Sequence, residues 1–143
     1  MGQNAFIVDT PWSESDTEKL VSWIKSQGLE IIGSLSTHSH EDRTAGIEFL
    51  NAKSIPTYAS NSTNFILRNQ NKATATNSFS AERVSLADGS IEAFYPGPGH
   101  TVDNLVVWLP DYNILYGGCF VRSENSKGLG YTGEAFVDQW PDS

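Results

Sequence analysis

Glu30-Ile31-Ile32-Gly33-Ser34-Leu35 runs directly into Ser36-Thr37-His38-Ser39-His40-Glu41-Asp42. The first six residues, with Ile31, Ile32 and Leu35 apolar, read as a buried strand. The next seven carry two imidazoles and a carboxylate at alternate positions. On an extended backbone His38, His40 and Asp42 point the same way. Imidazole and carboxylate are ligand types that zinc prefers. Taken alone, the pattern is equally open to two histidines solvated in a polar turn, with Asp42 capping the helix that follows.

The flanks of this stretch set its context. Residues 5–8 read as a short strand ending at Asp9, and Pro11 breaks it. Ser13 is a suitable N-cap, with Glu14, Asp16 and Glu18 in a first turn whose dipole favours acids. Leu20, Val21 and Ile24 share one helical face, and Gly28 ends the helix. Strand, helix, strand in this order predicts an α/β unit. Downstream, the pattern predicts a helix over residues 44–52 and a strand over 55–58, where Pro56 suits an edge. A helix over 62–69 follows, then a polar, irregular stretch over 72–80. Asp88-Gly89 predicts a two-residue hairpin between strands at 83–87 and 90–95. Pro96-Gly97-Pro98-Gly99 stops the second strand just before His100. Residues 104–109 and 113–117 predict another hairpin around Pro110-Asp111-Tyr112, with Cys119 just past its end. Residues 123–133 read as a loop, and Ala135 opens a possible helix.

The totals narrow the function classes. The chain has 143 residues, enough for one domain, with 38% hydrophobic and 18% charged residues, a core-forming composition. Seventeen acidic against nine basic residues give a net charge of −8. A nucleic acid would be repelled on average, and no Lys/Arg stripe overrules that. A divalent cation would be retained by the same field. The longest apolar runs, such as Leu105 to Leu109, are far too short to cross a membrane. No charged stretch followed by an apolar one opens these residues, so no secretory leader is expected within them, and Phe6 stands where a myristoylation motif needs Ser or Thr. The single cysteine, Cys119, excludes an internal disulfide.

All three histidines of the chain and its one cysteine fall just after predicted strands, beside glycine-rich or polar turns where sheet proteins gather function. His38, His40, Asp42, His100 and Cys119 together form a zinc-type donor set, and their joint occurrence points to a metal site.

Asp9-Thr10-Pro11, Thr37-His38-Ser39-His40-Glu41-Asp42, Pro98-Gly99-His100-Thr101 and Gly117-Gly118-Cys119-Phe120 stand in the order of the metallo-β-lactamase superfamily's motifs. Arg43 stands where most superfamily hydrolases have a second metal-binding histidine, and Cys119 where most have a bridging aspartate. With both, the chain resembles the two-zinc, broad-spectrum class B β-lactamases that use a cysteine ligand. That resemblance implies an α/β fold of the αββα sandwich type, incomplete here, with residues 1–143 forming a single partial domain. It implies Zn(2+), two per full-length domain. His38, His40 and His100 would hold the first, and Asp42 and Cys119 the second. Asp42 would also orient the attacking water. Arg122 would pair with the substrate carboxylate, and Tyr131 falls where many relatives have an asparagine that polarises the lactam carbonyl. Arg43 would lie beneath the thiolate, and Asp9 would orient the ligand loops. The implied reaction is hydrolysis of the β-lactam amide bond of a small-molecule antibiotic by a periplasmic monomer, with no nucleic acid and no membrane as partner.

The family's sixth ligand, a histidine in a later Gly-His-Gly turn, has no counterpart here. Neither do its first strands and flap. A partial chain is therefore expected, with an incomplete second metal site, exposed apolar sheet surface, low stability and weak activity in isolation. The alternatives are a zinc-binding remnant without catalysis and a superfamily hydrolase acting on thioesters or lactones.

Overall fold

The computed structural model describes residues 3–80 and 82–143. They fall into two compact units that divide after Ser80.

The first unit is a parallel four-stranded sheet with strands in sequence order: β1 (Asn4–Val8), β2 (Glu30–Leu35), β3 (Thr57–Ser60) and β4 (Asn77–Phe79). Parallel neighbours need a crossover, and α1 (Glu14–Ser26) provides the first. It begins where the sequence predicts. Ser13 Oγ accepts from the Asp16 amide at 3.1 Å, and Gly28 takes the left-handed φ of +75° that ends the element. Thr17, Val21 and Ile24 form its buried stripe. Val21 and Ile24 join Ile7, Ile31, Leu50 and Ile55 in the core of this unit, with Leu20 and Phe49 packed at its margin.

Three expectations are corrected in this unit. The single helix over 44–52 is two short ones, α2 (Glu41–Thr44) and α3 (Ile47–Ala52), separated at Ala45-Gly46. Gly46 explains the break. Its amide donates to Thr10 Oγ1 at 2.9 Å, and a Cβ there would lie 2.4 Å from Thr17 Oγ1. The chain turns where it must pass close to both threonines. Next, β3 starts after Pro56 rather than on it, and lies inside the sheet between β2 and β4. The proline escapes the ladder's need for a donor by standing one residue outside the strand, where its carbonyl accepts from Ser34 N at 2.9 Å. Finally, the polar stretch 72–80 contains β4. Its pairing is secured by polar side chains instead of apolar alternation. Thr57 Oγ1 accepts from the Thr76 amide at 2.8 Å, and Asn77 Nδ2 donates to Thr57 O at 3.2 Å. A further helix, α4 (Asn61–Asn69), is N-capped by Ser60 and joins β3 to this stretch.

The second unit is an antiparallel sheet, again in sequence order: β5 (Arg83–Leu86), β6 (Ile91–Phe94), β7 (Val106–Leu109) and β8 (Ile114–Tyr116). The hairpin at Asp88-Gly89 forms, but over a four-residue connection, residues 87–90, in place of the predicted two-residue turn; Asp88 and Gly89 both take positive φ and Ser90 N donates to Ala87 O at 3.1 Å. Ala87 also takes a left-handed φ, so the ladder closes one residue earlier, at Leu86 opposite Ile91. Asn113, at φ +54°, completes the second hairpin. The helix opening at Ala135 is not formed; the tail carries turns and a short 3-10 segment, Trp140–Asp142, whose Pro141 has no amide to extend it.

The strand register sorts the second sheet into two faces. Ile91, Ala93 and Val107 are buried on one. On the other, Phe94, Val106, Trp108 and Leu115 lie together, bordered by the Arg83–Glu92 ion pair. Phe94 is 45% and Leu115 57% exposed. This is the exposed apolar sheet surface expected of the chain, and a liability for self-association. No helix among the described residues is long and apolar enough to cross a membrane.

Candidate metal centre

In the first unit the candidate residues sit on the connection from β2 to α2. Residues 36–40 leave the sheet and are pinned at several points. Ser36 N donates to Tyr58 O at 3.0 Å, Ser36 Oγ to Arg43 O at 3.0 Å, and Thr44 Oγ1 to His40 O at 2.9 Å. His38 is buried and His40 half-buried. Their rings stand edge to face with centroids 4.7 Å apart, and each offers a ring nitrogen within 4.8 Å of the other's. Both rings are thus held close on a rigid connection, which preorganises a pair of imidazole donors.

Asp42 does not continue an extended run as expected. It lies in the first turn of α2, where His40 takes the N-cap position without a side-chain capping bond. The backbone coils after His40 because Arg43 N and Thr44 Oγ1 both return to His40 O. The Asp42 carboxylate is directed toward Arg43, with Oδ2 3.3 Å from Arg43 Nη2. Nor does Asp42 cap this helix.

Beneath the connection, Asp9 organises the loop. It is 8% exposed and sits at φ +62°, a left-handed turn at the end of β1 that Asp tolerates better than most residues. Its Oδ1 accepts from the Thr37 amide at 2.7 Å and its Oδ2 from Thr37 Oγ1 at 3.0 Å. Arg43 Nε lies 3.5 Å from the same Oδ2. The guanidinium therefore stands between the carboxylates of Asp9 and Asp42, tying the strand end to the first turn of α2.

In the second unit His100 is buried in a loop shaped by Asn104. Asn104 Oδ1 accepts from Gly99 N at 3.2 Å and Thr101 N at 2.9 Å, and its Nδ2 donates to Gly97 O at 2.8 Å. Gly99 is required by space: a Cβ would come within 2.4 Å of Phe120 and 2.9 Å of Trp140. Trp140 bridges two candidate positions. Its ring lies 6.0 Å from that of His100, and its Nε1 donates to Phe120 O at 3.0 Å. Phe120 follows Cys119 directly, so the cysteine turn and the histidine loop share one packing partner. Cys119 is half-buried in a turn closed by Phe120 N donating to Gly117 O at 3.0 Å. Arg122 and Tyr131 are both exposed on the loop that follows. Nearby, Tyr95 Oη donates to Val102 O at 3.0 Å, and burial with the adjacent Asp103 pushes its phenol pKa up.

Thr37, Asn104 and Trp140 were not singled out in the sequence. Thr37 opens the motif that holds His38 and His40 but is given no role there, and the only signal of Asn104 is that it stands four residues from His100. Trp140 has none, because its role arises from tertiary packing. For Asn104 the consequence is measurable. Asn104→Ala removes one acceptor from two loop amides and a donor from Gly97 O. At roughly 1–3 kcal/mol per buried group left unsatisfied, about 3 kcal/mol of stability should be lost. Hydrogen exchange should accelerate at Gly99 and Thr101 ahead of the β6–β7 amides; uniform exchange would show that Asn104 does not hold the loop.

The described residues thus present imidazoles on strand-end loops of an α/β protein, with His38 and His100 buried and His40 half-buried, side chains of the type a metal site uses. No protein-family model matches the chain. A metallo-β-lactamase type 2 from Pseudomonas aeruginosa is 52% identical over 140 residues, covering 98% of this chain and 56% of that protein. Among solved structures, TMB-1 is 64% identical with a TM-score of 0.97, over 99% of this chain and 65% of that one. The metallo-β-lactamase FIM-1 from Pseudomonas aeruginosa, solved in a mono-zinc form, is 32% identical with a TM-score of 0.92, over 99% of this chain and 64% of that one. The chain belongs to the metallo-β-lactamases, and spans a little over half the length of the curated relatives it matches.

Proposed function

We propose that the domain to which residues 1–143 contribute is a zinc-dependent hydrolase of the β-lactam amide bond. The observation that carries this reading is the pairing of buried His38 with half-buried His40 on a loop locked by Asp9, in a chain of this family. The donor chemistry fits zinc, which takes imidazole, carboxylate and thiolate, and the relative FIM-1 is described with zinc. We assign the first ion to His38, His40 and His100, and the second to Asp42 and Cys119. When bound, zinc supplies Lewis acidity and lowers the pKa of water to roughly 7.

The residues of the chain then have separable roles. Asp42 orients the attacking water and is the candidate proton carrier. Arg43, between Asp9 and Asp42, fixes the direction of the Asp42 carboxylate. Arg122 is a cation for the substrate carboxylate, and its exposure leaves it open to a ligand from solvent. Tyr131 stands on the same exposed loop as a substrate contact. We take the substrates to be small β-lactams, the setting to be periplasmic, the consequence to be antibiotic resistance and the protein to be a monomer.

Turnover of a chromogenic β-lactam by the zinc-loaded protein, abolished by a chelator and restored by zinc, tests the reading. Cys119→Ser should lower the rate and the zinc stoichiometry together. Turnover of a thioester or lactone with no β-lactam hydrolysis would overturn the substrate assignment, and zinc binding with no turnover would mark a remnant.

A further inference from the structure

Thr37 is fully buried between Asp9 and His38. Its amide is held by Asp9 Oδ1 and its hydroxyl by Asp9 Oδ2, and the same hydroxyl oxygen lies 3.2 Å from His38 Nδ1. A hydroxyl has one proton, and a carboxylate only accepts. With the Arg43 guanidinium beside Asp9, the Thr37 proton points to the carboxylate. The hydroxyl oxygen therefore turns a lone pair toward His38. That contact is a hydrogen bond only when Nδ1 carries the imidazole proton. A neutral imidazole has one N–H, so the lone pair that binds a metal is then on Nε2.

We propose that Thr37, gripped by Asp9, is a positioning residue that selects the Nδ1–H tautomer of His38 and so makes Nε2 its metal-binding nitrogen. The last step rests on the reading of His38 as a ligand; the tautomer is a property of the metal-free chain. The grip is specific because two groups of one residue meet both oxygens of one carboxylate, which fixes the backbone and the hydroxyl rotor together. Partners of this kind typically change metal affinity by about 10–100-fold.

The test is imidazole nitrogen NMR on the metal-free chain, at a pH where the ring is neutral. With three histidines in the chain, single substitutions assign the signals. His38 should show a protonated Nδ1 and an unprotonated Nε2. Thr37→Ser, which keeps the hydroxyl, should preserve this pattern, and Thr37→Val should shift His38 toward Nε2–H. Zinc affinity should fall about 10–100-fold in Thr37→Val and recover in Thr37→Ser. An Nε2–H tautomer in the unmodified chain, or an unchanged tautomer in folded Thr37→Val, overturns the proposal. If Thr37→Val fails to fold, the spectra of the unmodified chain and Thr37→Ser decide. An Nδ1–H tautomer without β-lactam turnover would sink the functional reading and leave this inference standing; turnover with the opposite tautomer would do the reverse.

Discussion

Asp9→Ala lowers the stability of the chain by about 2–6 kcal/mol, at roughly 1–3 kcal/mol for each of the two buried Thr37 groups, amide and hydroxyl, that lose their acceptor. The substitution takes away the acceptor of the Thr37 amide and hydroxyl and removes one of the two carboxylates beside the Arg43 guanidinium. It also places alanine at φ +62°, where aspartate is better tolerated. Asp9→Asn separates these contributions. It keeps the backbone preference and one carbonyl acceptor and loses the charge, so it should fall between the parent and Asp9→Ala. Chemical denaturation of the three proteins reads the order. Equal midpoints for Asp9→Ala and the parent would show that the carboxylate does not hold the β1 end to the β2–α2 connection.

His38→Ala carries the other large effect, on metal rather than on folding. It removes a buried donor whose partner, His40, stands with its ring 4.7 Å away. Partners outside the coordination sphere cost about 10–100-fold in affinity, and loss of a ligand itself should exceed that. Competition against a chromophoric chelator should therefore show tight zinc binding in the parent and none in the variant. A control at an exposed position, such as Lys72→Ala, should leave affinity unchanged. Equal zinc affinity in His38→Ala and the parent would remove His38 from the metal site.

The elements that position these residues differ in how visible they are from sequence. β2 and α1 are legible to the residue because period and capping agree: Ile31 and Leu35 are buried as the pattern requires, and Ser13 caps as its type suggests. β4 is invisible to hydrophobic periodicity because Thr57, Thr76 and Asn77 secure it through polar bonds. The break at Gly46 is hidden because it arises from Thr10 and Thr17, distant in the chain. The histidine positions were readable because strand ends and motif spacing are local. The turn that carries Asp42 into α2 was not, since it depends on the bonds that Arg43 and Thr44 return to His40 O. Asp9's grip on Thr37 is likewise a contact across 28 residues, which no local pattern reports.

The central claim is that imidazoles from the histidine loops and the sulfur of Cys119 serve bound zinc. X-ray absorption at the zinc edge of the zinc-loaded chain reads those donors directly. The account predicts a nitrogen and oxygen shell at about 2.0–2.1 Å with imidazole outer-shell scattering, and sulfur at about 2.3 Å that disappears in Cys119→Ser. An oxygen-only shell without imidazole scattering, or a spectrum unaltered by Cys119→Ser, would contradict it.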